Sequence, residues 1–396
     1  MQIKSRQLRI AFVDYVLEPD KPGRTGLSDI VWDMASEMVN QGHDVHVIGS
    51  YHTHAFPDSR VVVHNFSTPP MGYRNVVGNV WLLWRALTII RRLEPNIVHT
   101  PEYISTAVFS QFGLNIPLVL SVPGNIFHKL SVPQGSGYEW YFAQILKWAA
   151  RKSARRCARI VAISQEMKWW WERTGSRPER TVWIPLGVNP NRFHKIFNSR
   201  QILGWPEQVP VVLYVGRLSI EKGVLDLVEA VHRVKDDLRR FPGRIIIGGK
   251  GNLYTTVQEK IHSYKLEEII QVTDWINQDK LKIWYSAATV VVFPSHAEAF
   301  GRVIPESFSC GTPIIASNIA GAKDHIENGK NGYTYKPGDI NALADLLRIV
   351  FRNPRHFEEL GNESLRYAEK FHWSSIMHRI TQEVYFPIIE EQEATL

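Results

Sequence analysis

Two glutamates flank a short glycine-containing loop in the second half of the chain. Glu298 lies just before Gly301, and Glu306 follows Glu298 by eight positions, one turn into a predicted helix. The loop follows an apolar, β-branched run at 289–293, which predicts a buried parallel strand. Because a helix that follows a strand presents free backbone N–H groups at its start, this segment predicts a phosphate site framed by two carboxylates.

The ends of this helix are also marked in the sequence. Pro305 suits a first helical turn, where a missing N–H costs little, and Gly311 lies where a helix C-cap is expected. A further strand is predicted at 314–317. The sequence thus predicts a strand, loop, helix and strand unit from Phe293 to Ser317.

Two cations follow another predicted strand of the same half. Arg217 and Lys222 come directly after the apolar run 211–215. Carboxyl ends of parallel strands meet at one edge of a sheet, so both cations are expected at the edge that carries Glu298. Preorganised cations stabilise a departing phosphate best where water is excluded. The alternative is that they are ordinary surface charges.

With Pro294, Phe300 and the Gly311-Thr312-Pro313 turn, the two glutamates resemble the E-x7-E donor-site motif of the retaining family 4 glycosyltransferases. The resemblance implies that Glu298 contacts hydroxyls of the donor sugar and that Glu306 holds the ribose of the nucleotide. It implies catalytic roles for Arg217, Lys222 and Glu298, the two cations lying on the donor diphosphate. The donor-binding residues that it implies are Gly26, Gly216, Ile276, Phe300, Gly301, Arg302, Val303 and Glu306.

The resemblance covers nearly the whole chain and implies an α/β GT-B fold. That fold has two Rossmann-like, doubly wound domains facing an interdomain cleft, with a C-terminal helix that crosses back to the N-terminal domain. The alternation of predicted strands and helices by itself favours doubly wound parallel sheets. We expect an acceptor domain at 1–190, a nucleotide-sugar donor domain at 191–372 and the returning helix at 373–396.

The first half departs from the family pattern at two loops. Thr25-Gly26 stands where the family commonly has Gly-Gly, so only Gly26 carries over. Pro123 stands where many members have a histidine close to the reacting sugar. His128 follows five residues later and is a candidate acceptor-site residue, although a solvent-exposed loop histidine is the alternative.

A basic, aromatic segment occupies residues 137–159. Lys147, Arg151, Arg155 and Arg159 recur every four residues, so a helix would carry them as one stripe, widened by Lys152 and Arg156. Trp140, Tyr141, Phe142 and Trp148 lie close by, and Trp169-Trp170-Trp171 follows. Such a helix could rest on an anionic membrane surface, with Lys147, Arg151, Arg155 and Arg156 as its contacts. The alternative is a solvated cationic face above core aromatics, and no nucleic-acid-binding module accompanies the segment.

Composition excludes several classes of protein. The chain has 396 residues, 44% of them hydrophobic, and a net charge of +7. Residues 1–195 carry +9 and the remainder −2, so the first half is the one expected to meet an anionic partner. The alternative is that the positive charge serves only to keep the protein in solution. Two cysteines make a disulfide framework improbable, and no signal peptide or membrane-spanning run is predicted. A cytoplasmic protein, peripheral on the inner membrane face if the basic helix binds lipid, is expected.

The expected reaction is transfer of a sugar with retention of anomeric configuration. No Asp-x-Asp or His/Cys ligand cluster occurs, so no metal or other cofactor is expected to be required; the co-substrate would be a UDP- or GDP-sugar. The acceptor stays open between a lipid or lipid-linked molecule at the membrane and a soluble sugar or polysaccharide. A nucleotide-sugar binding protein that has lost turnover is the alternative from another class, motivated by Thr25 and Pro123.

Overall fold

The structure is a computed structural model, and it describes residues 6–13, 27–49, 58–65, 76–101, 103–121, 138–241 and 243–394. The chain divides into two compact units. The first unit contains residues 1–186 together with the C-terminal segment 373–396, and the second contains 187–372. Each unit is built around a parallel sheet of its own, and each is described separately below.

The described part of the first unit has a seven-stranded sheet in the order β3-β2-β1-β4-β5-β6-β7. Its strands are β1 (Arg9–Val13), β2 (Asp44–Gly49), β3 (Val62–Asn65), β4 (Ile97–Thr100), β5 (Leu118–Ser121), β6 (Arg159–Ala162) and β7 (Thr181–Trp183). The central strands are buried along almost their whole length because helices cover both faces of such a sheet.

Helices connect these strands. They are α1 (Leu27–Asn40), α2 (Val76–Leu93), α3 (Tyr103–Gln111), α4 (Tyr138–Arg156) and α5 (Gln165–Thr174). The start of α5 is fixed by Ser164, whose hydroxyl accepts a hydrogen bond from the Met167 amide at 3.2 Å. Its end is fixed by Gly175, which has a left-handed backbone with φ +119°.

The second unit has a six-stranded parallel sheet in the order β10-β9-β8-β11-β12-β13. Its strands are β8 (Val211–Val215), β9 (Arg244–Gly248), β10 (Ile270–Thr273), β11 (Val290–Phe293), β12 (Ile314–Ser317) and β13 (Gly332–Tyr335). Numbered from β8, this is the 3-2-1-4-5-6 order of a Rossmann domain. The first six strands in the first unit have the same order.

The helices of the second unit are α6 (Ser199–Leu203), α7 (Val224–Arg240), α8 (Tyr254–Ser263), α9 (Leu281–Ala287), α10 (Val303–Ser309), α11 (Ile340–Arg352) and α12 (Pro354–Ala368). Apolar residues recur on α7 at helical spacing and are buried, among them Val224, Leu227, Val231 and Val234. They form one core with the buried faces of β8 and β9. This core holds the carboxyl end of β8 in place.

The C-terminal segment consists of α13 (Trp373–Ile380), a single π-helical turn (Thr381–Tyr385) and α14 (Phe386–Glu393), and it packs into the first unit. The Trp373 indole donates a hydrogen bond to Asp33 on α1 at 3.0 Å. In the core, the Tyr385 hydroxyl lies 2.6 Å from Nδ1 of His99, whose Nε2 lies 2.7 Å from the Ser121 hydroxyl. Burial lowers the pKa of His99 to about 3, so this chain of hydrogen bonds contains a neutral imidazole.

Candidate functional site

The two predicted loops of the second unit meet where its strand order reverses. β8 lies beside β11 in the sheet, and the chain runs from β8 toward β9 on one side and from β11 toward β12 on the other. In open α/β sheets, ligands bind outside the carboxyl ends of the strands at such a reversal point. Arg217 and Lys222 lie in the loop after β8, and Glu298 lies in the loop after β11.

An ion pair joins these two loops. The Lys222 ammonium contacts the Glu298 carboxylate, and the two side chains are only 20% and 23% exposed. The two residues are 76 positions apart in the sequence, so the contact depends on the pairing of β8 with β11. The structure thus places an ammonium and a carboxylate, both largely shielded from water, side by side at this sheet edge.

Gly223 allows the two loops to approach. It has a left-handed backbone, with φ +65°, and a Cβ atom there would lie 2.0 Å from the Pro294 carbonyl oxygen. The His296 amide donates to the Glu221 carbonyl at 2.9 Å, and Nε2 of His296 lies 2.8 Å from an Asp226 carboxylate oxygen. These contacts fix the position of Lys222 relative to the loop that carries its partner.

The loop after β9 is equally close to the loop after β8. The Leu218 amide donates to the Lys250 carbonyl at 2.9 Å, and the Leu253 amide donates to the Leu218 carbonyl at 2.9 Å. Cβ atoms at Gly249 and Gly251 would lie 1.9 Å and 2.2 Å from carbonyl oxygens of the first loop. Glycine is therefore required at both positions of this turn.

Glu306, the second glutamate of the motif, is buried at the first turn of α10. It accepts a hydrogen bond from the Tyr285 hydroxyl at 3.1 Å, and Arg302 lies 3.4 Å from its other oxygen. Burial first, and then the Glu306 charge, raise the pKa of Tyr285 well above its ordinary value, so the phenol stays protonated and donates. Tyr285 was not found by sequence reasoning because α9 carries no motif.

Phe300 and Gly301 form the turn into α10. The Phe300 ring is buried, with edge contacts to the rings of His325 and Phe371 at centroid distances of 5.6 and 6.3 Å. Gly301 has φ +82°, and a Cβ atom there would lie 2.9 Å from the Phe293 ring. A ligand can therefore reach Phe300 through its main chain only, and the ring serves as an anchor for the turn.

Models of known families match both halves of the chain. Residues 24–192 match the model described as Glycosyltransferase Family 4, and residues 195–367 match the model described as Glycosyl transferases group 1. The chain belongs to the family 4, group 1 glycosyltransferases. It is a glycosyltransferase that acts on nucleotide sugars, and the resemblance inferred from the E-x7-E motif is confirmed.

Solved structures establish the fold of this glycosyltransferase. It is similar to sucrose-phosphate synthase from Thermosynechococcus elongatus, with a TM-score of 0.78 and 21% identity over 99% of this chain and 100% of that one. It is also similar to Anabaena HepE, solved in complex with UDP-glucose, with a TM-score of 0.72 and 21% identity over 95% and 99% of the two chains. The predicted GT-B fold with two Rossmann-like domains is confirmed.

A curated relative shares more sequence over a shorter length. A D-inositol 3-phosphate glycosyltransferase of Streptomyces bingchenggensis is 31% identical to this glycosyltransferase over 211 residues. The match covers 50% of this chain and 46% of the relative, so it describes about half of each protein.

The other predicted donor residues in the second unit of the glycosyltransferase lie at the same edge of its sheet. Gly216 directly follows β8, and its amide donates to the Gly248 carbonyl at 3.1 Å. Ile276 follows β10 and is buried, and its Cδ1 atom occupies the space that a Cβ atom on Gly248 would need. Arg217 is 66% exposed and lies 3.8 Å from Glu221, so its guanidinium does not take part in the Lys222–Glu298 pair. Val303 begins α10.

Several sequence predictions for the first unit lie outside the described residues. Gly26, Thr25, Pro123 and His128 are among them, and the side chains of Trp140, Tyr141 and Phe142 are likewise not described. Over the described residues, no group of three or more His, Cys, Asp or Glu side chains could hold a metal ion. No helix in those same ranges is long and apolar enough to cross a membrane.

The structure corrects the basic stripe. Helix α4 ends at Arg156, so Arg159 is not on it; Arg159 begins β6, is buried and pairs with Glu391 of α14. Trp171 is fully buried and belongs to the core. The part of the stripe formed by Lys147, Arg151, Arg155 and Arg156 does lie on one helix.

An exposed basic aromatic face remains on α4. We use this name for Ile145, Trp148, Arg151 and Arg155, which are exposed and follow one another at helical spacing. Trp148 is 49% exposed, a large fraction for a residue of this size. On the neighbouring α5, Trp169 is also exposed, with the Arg173 guanidinium 3.7 Å above its ring centroid.

Proposed function

We propose that the second unit binds a nucleotide-diphosphate sugar at the reversal point of its sheet and that the protein transfers the sugar with retention at the anomeric carbon. In this proposal Lys222 and Arg217 contact the diphosphate, Glu298 contacts hydroxyls of the sugar, and Glu306 contacts the ribose. The single observation that carries the proposal is the Lys222–Glu298 pair, which places a cation and an anion side by side at the ligand edge of a Rossmann sheet.

The chemistry follows from the charges. As the bond between the anomeric carbon and the diphosphate oxygen breaks, negative charge develops on the leaving diphosphate, and Lys222 and Arg217 neutralise it. The acceptor hydroxyl attacks the anomeric carbon on the same face, and its proton passes to the departing diphosphate oxygen. Because the leaving group takes the proton, no protein base is needed. The proposal assigns neutralisation of the diphosphate to the two cations rather than to a divalent ion.

The proposed donor is a UDP-hexose, with a GDP-hexose as the alternative. The Anabaena neighbour solved with UDP-glucose has the same fold over nearly the whole chain, which makes this donor the first to test. In this chain, Ile276 and the main chain after β10 would contact the base. A contact made through backbone groups leaves the choice of base to experiment.

A thermal-shift screen of nucleotide sugars tests the donor proposal. The matching donor at one hundred times its dissociation constant should raise stability by about 2.7 kcal/mol. The Glu306→Gln variant should bind UDP about 10- to 100-fold more weakly, because a charged hydrogen bond contributes about 1.5–3 kcal/mol. Gln keeps an oxygen that can accept from the Tyr285 hydroxyl.

The exposed Glu359→Gln variant is the matched control, since it removes the same charge from α12 of the same unit. UDP should raise the stability of this variant as much as it raises that of the unchanged protein. Equal shifts for the two variants would remove Glu306 from the nucleotide site. If none of the nucleotide sugars raised the stability of the protein, the donor proposal would be contradicted.

We further propose that the acceptor is presented at an anionic membrane surface, which the basic aromatic face of α4 contacts. Trp148 and Ile145 are exposed next to Arg151 and Arg155, and an indole flanked by guanidinium groups suits the headgroup region of a bilayer. The +9 charge of residues 1–195 acts in the same direction. A lipid or lipid-linked sugar is the acceptor class that this surface favours.

Vesicle co-sedimentation tests this surface. The triple variant Trp148→Ala, Arg151→Gln, Arg155→Gln should bind vesicles that contain anionic lipid at least about ten-fold more weakly than the unchanged protein, because each cation near such a surface contributes about 1 kcal/mol. Vesicles of zwitterionic lipid alone should bind neither protein. The measurement is the bound fraction at moderate salt.

The matched control changes the same residue types on α2 of the same unit. Trp84, Arg85 and Arg92 are exposed there, and Trp84→Ala, Arg85→Gln, Arg92→Gln removes one indole and two charges. This control should keep its vesicle binding. If both triple variants lose it equally, net charge rather than the basic aromatic face is responsible, and absence of binding by the unchanged protein removes the membrane proposal.

A soluble acceptor is the second candidate. The curated relative is named for D-inositol 3-phosphate and the structural neighbour for sucrose phosphate, and a phosphorylated sugar would suit the cationic first unit. Transfer to soluble sugars without any vesicle dependence would favour this candidate. A protein that binds nucleotide sugars without turnover is the remaining alternative, and transfer or donor hydrolysis above background would eliminate it.

A further inference from the structure

We propose that the first unit binds a phosphomonoester in an arginine-lined pocket at the edge of its sheet opposite to the carboxyl ends of the strands. The pocket has a volume of about 580 Å³ and is lined by Arg156, Arg159 and Arg180 together with Glu391 of α14. Its volume lies within the range of about 300–1,000 Å³ that is usual for small-molecule sites.

The position of the pocket separates it from the donor and acceptor chemistry. Pro117, Ala158 and Arg180 line it, and each immediately precedes a strand, namely β5, β6 and β7. These strands are parallel, so the three residues lie together at the amino-terminal edge of the sheet. Ligands of doubly wound domains bind at the other edge, so the reaction does not account for this pocket.

Charge in the pocket is uneven. The Arg159 side chain is 9% exposed, and its guanidinium makes two contacts with the Glu391 carboxylate, one of them at 3.2 Å, and a third with the Ala158 carbonyl at 2.9 Å. Arg159 first, and then Arg180, hold the pKa of Glu391 below its ordinary value, so this carboxylate is ionised. Three cations and one anion leave two positive charges.

Those two charges are available to a ligand. Among the described residues, neither Arg156 nor Arg180 has a side-chain hydrogen bond or an ion pair within 4 Å, while Glu391 already neutralises the buried Arg159. A guanidinium binds two phosphate oxygens at once, and a phosphomonoester carries up to two negative charges near neutral pH. The charge of the ligand therefore matches the charge that the pocket leaves uncompensated.

The walls of the pocket fit an organic phosphate better than the bare ion. Leu114, Ile116 and Ile388 line it beside the arginines, so a carbon skeleton attached to the phosphate has apolar surface to cover. The phosphate could belong to a small soluble molecule or to a lipid headgroup. Glycerol 3-phosphate and vesicles that contain phosphatidic acid carry this group in the two forms.

Calorimetric titration with glycerol 3-phosphate tests the site. The unchanged protein should bind it saturably, and Arg156→Gln/Arg180→Gln should bind it at least about ten-fold more weakly, since a charged hydrogen bond contributes about 1.5–3 kcal/mol. Glu391→Gln should bind it several-fold more tightly, because this variant removes the one negative charge from the lining and keeps the side-chain shape. Opposite signs for these variants would not arise from a loss of folding.

Two controls exclude other anion sites. Arg85→Gln/Arg92→Gln removes the same charge from α2 and should leave the binding unchanged, and so should Arg217→Gln in the second unit. Binding to phosphatidic acid vesicles that depends on Arg156 and Arg180, without saturable binding of glycerol 3-phosphate, would assign the pocket to a lipid headgroup. The proposal is overturned if the Arg156→Gln/Arg180→Gln variant binds as well as the unchanged protein, or if Arg217→Gln abolishes binding. It is also overturned if the unchanged protein binds neither glycerol 3-phosphate nor the phosphatidic acid vesicles.

Discussion

Replacing Lys222 by methionine is expected to lower kcat/KM for sugar transfer by about 100- to 1,000-fold, the usual effect of removing one preorganised group that stabilises developing charge. Lys222 is mostly shielded from water and is held by Glu298, so it needs little reorganisation when the diphosphate departs. Methionine has a similar length and no charge. Initial rates with the donor found by the thermal-shift screen provide the measurement.

Lys330→Met is the matched control. Lys330 also pairs with a glutamate of the second unit, Glu327, at 2.8 Å, but both side chains are at least half exposed. The control makes the same chemical change in an ion pair outside the proposed site, where such pairs contribute little. It should transfer sugar at nearly the rate of the unchanged protein. Equal losses in the two variants would contradict the role assigned to Lys222.

Glu298→Gln breaks the same pair from its other side and separates binding from transfer. In the proposal Glu298 contacts the sugar and not the nucleotide, so this variant should lose transfer. Its affinity for UDP, measured by thermal shift, should stay within a few-fold of that of the unchanged protein. Unchanged transfer by Glu298→Gln would contradict the assignment of Glu298. A lost UDP shift with retained folding would place Glu298 on the nucleotide instead.

The sequence predicted most of this site because its parts follow buried parallel strands. β8 was predicted at 211–215 and found there, and β11 was predicted one residue too long at 289–293. Continuous apolar runs identify such strands well. β3 and β13, which lie at sheet edges and mix polar with apolar residues, have no comparable signal, and neither was predicted.

The boundary of α4 shows what periodicity alone cannot determine. Basic residues recur every four positions from Lys147 to Arg159, but the helix ends at Arg156 without a glycine or proline to mark the end. The chain next forms β6, which pairs with β5, and Cys157 and Arg159 are therefore buried. Tertiary pairing thus overrides the local pattern, and a residue predicted on an exposed stripe becomes a buried partner of Glu391.

Contacts between distant segments were also outside the reach of sequence reasoning. The motif indicated Glu306 but not Tyr285, because a single tyrosine on a seven-residue helix has no distinguishing pattern. The close approach of Gly223 to Pro294 was likewise invisible, since it depends on how β8 and β11 pair. A glycine after a strand indicates a turn, but only the fold shows which atoms a side chain at that position would collide with.

Gly223→Ala is expected to lower the free energy of unfolding by about 2–5 kcal/mol and to reduce transfer strongly. The left-handed backbone costs a non-glycine residue about 1–2 kcal/mol, and overpacking adds about 1–3 kcal/mol. The added methyl group would lie 2.0 Å from the Pro294 carbonyl oxygen, so the loops after β8 and β11 must move apart. That movement also separates Lys222 from Glu298. Thermal unfolding and initial transfer rates measure the two effects.

Gly204→Ala separates backbone strain from the crowding of the two loops. Gly204 has φ +66°, almost the value at Gly223, and lies in the same unit, but a Cβ atom there would meet nothing within 4 Å. This variant should lose only about 1–2 kcal/mol and keep full activity. If Gly223→Ala were no worse than Gly204→Ala in either measurement, the spacing between the two loops would not hold the site together. A Gly223→Ala protein that is destabilised but fully active would show that transfer tolerates displacement of Lys222.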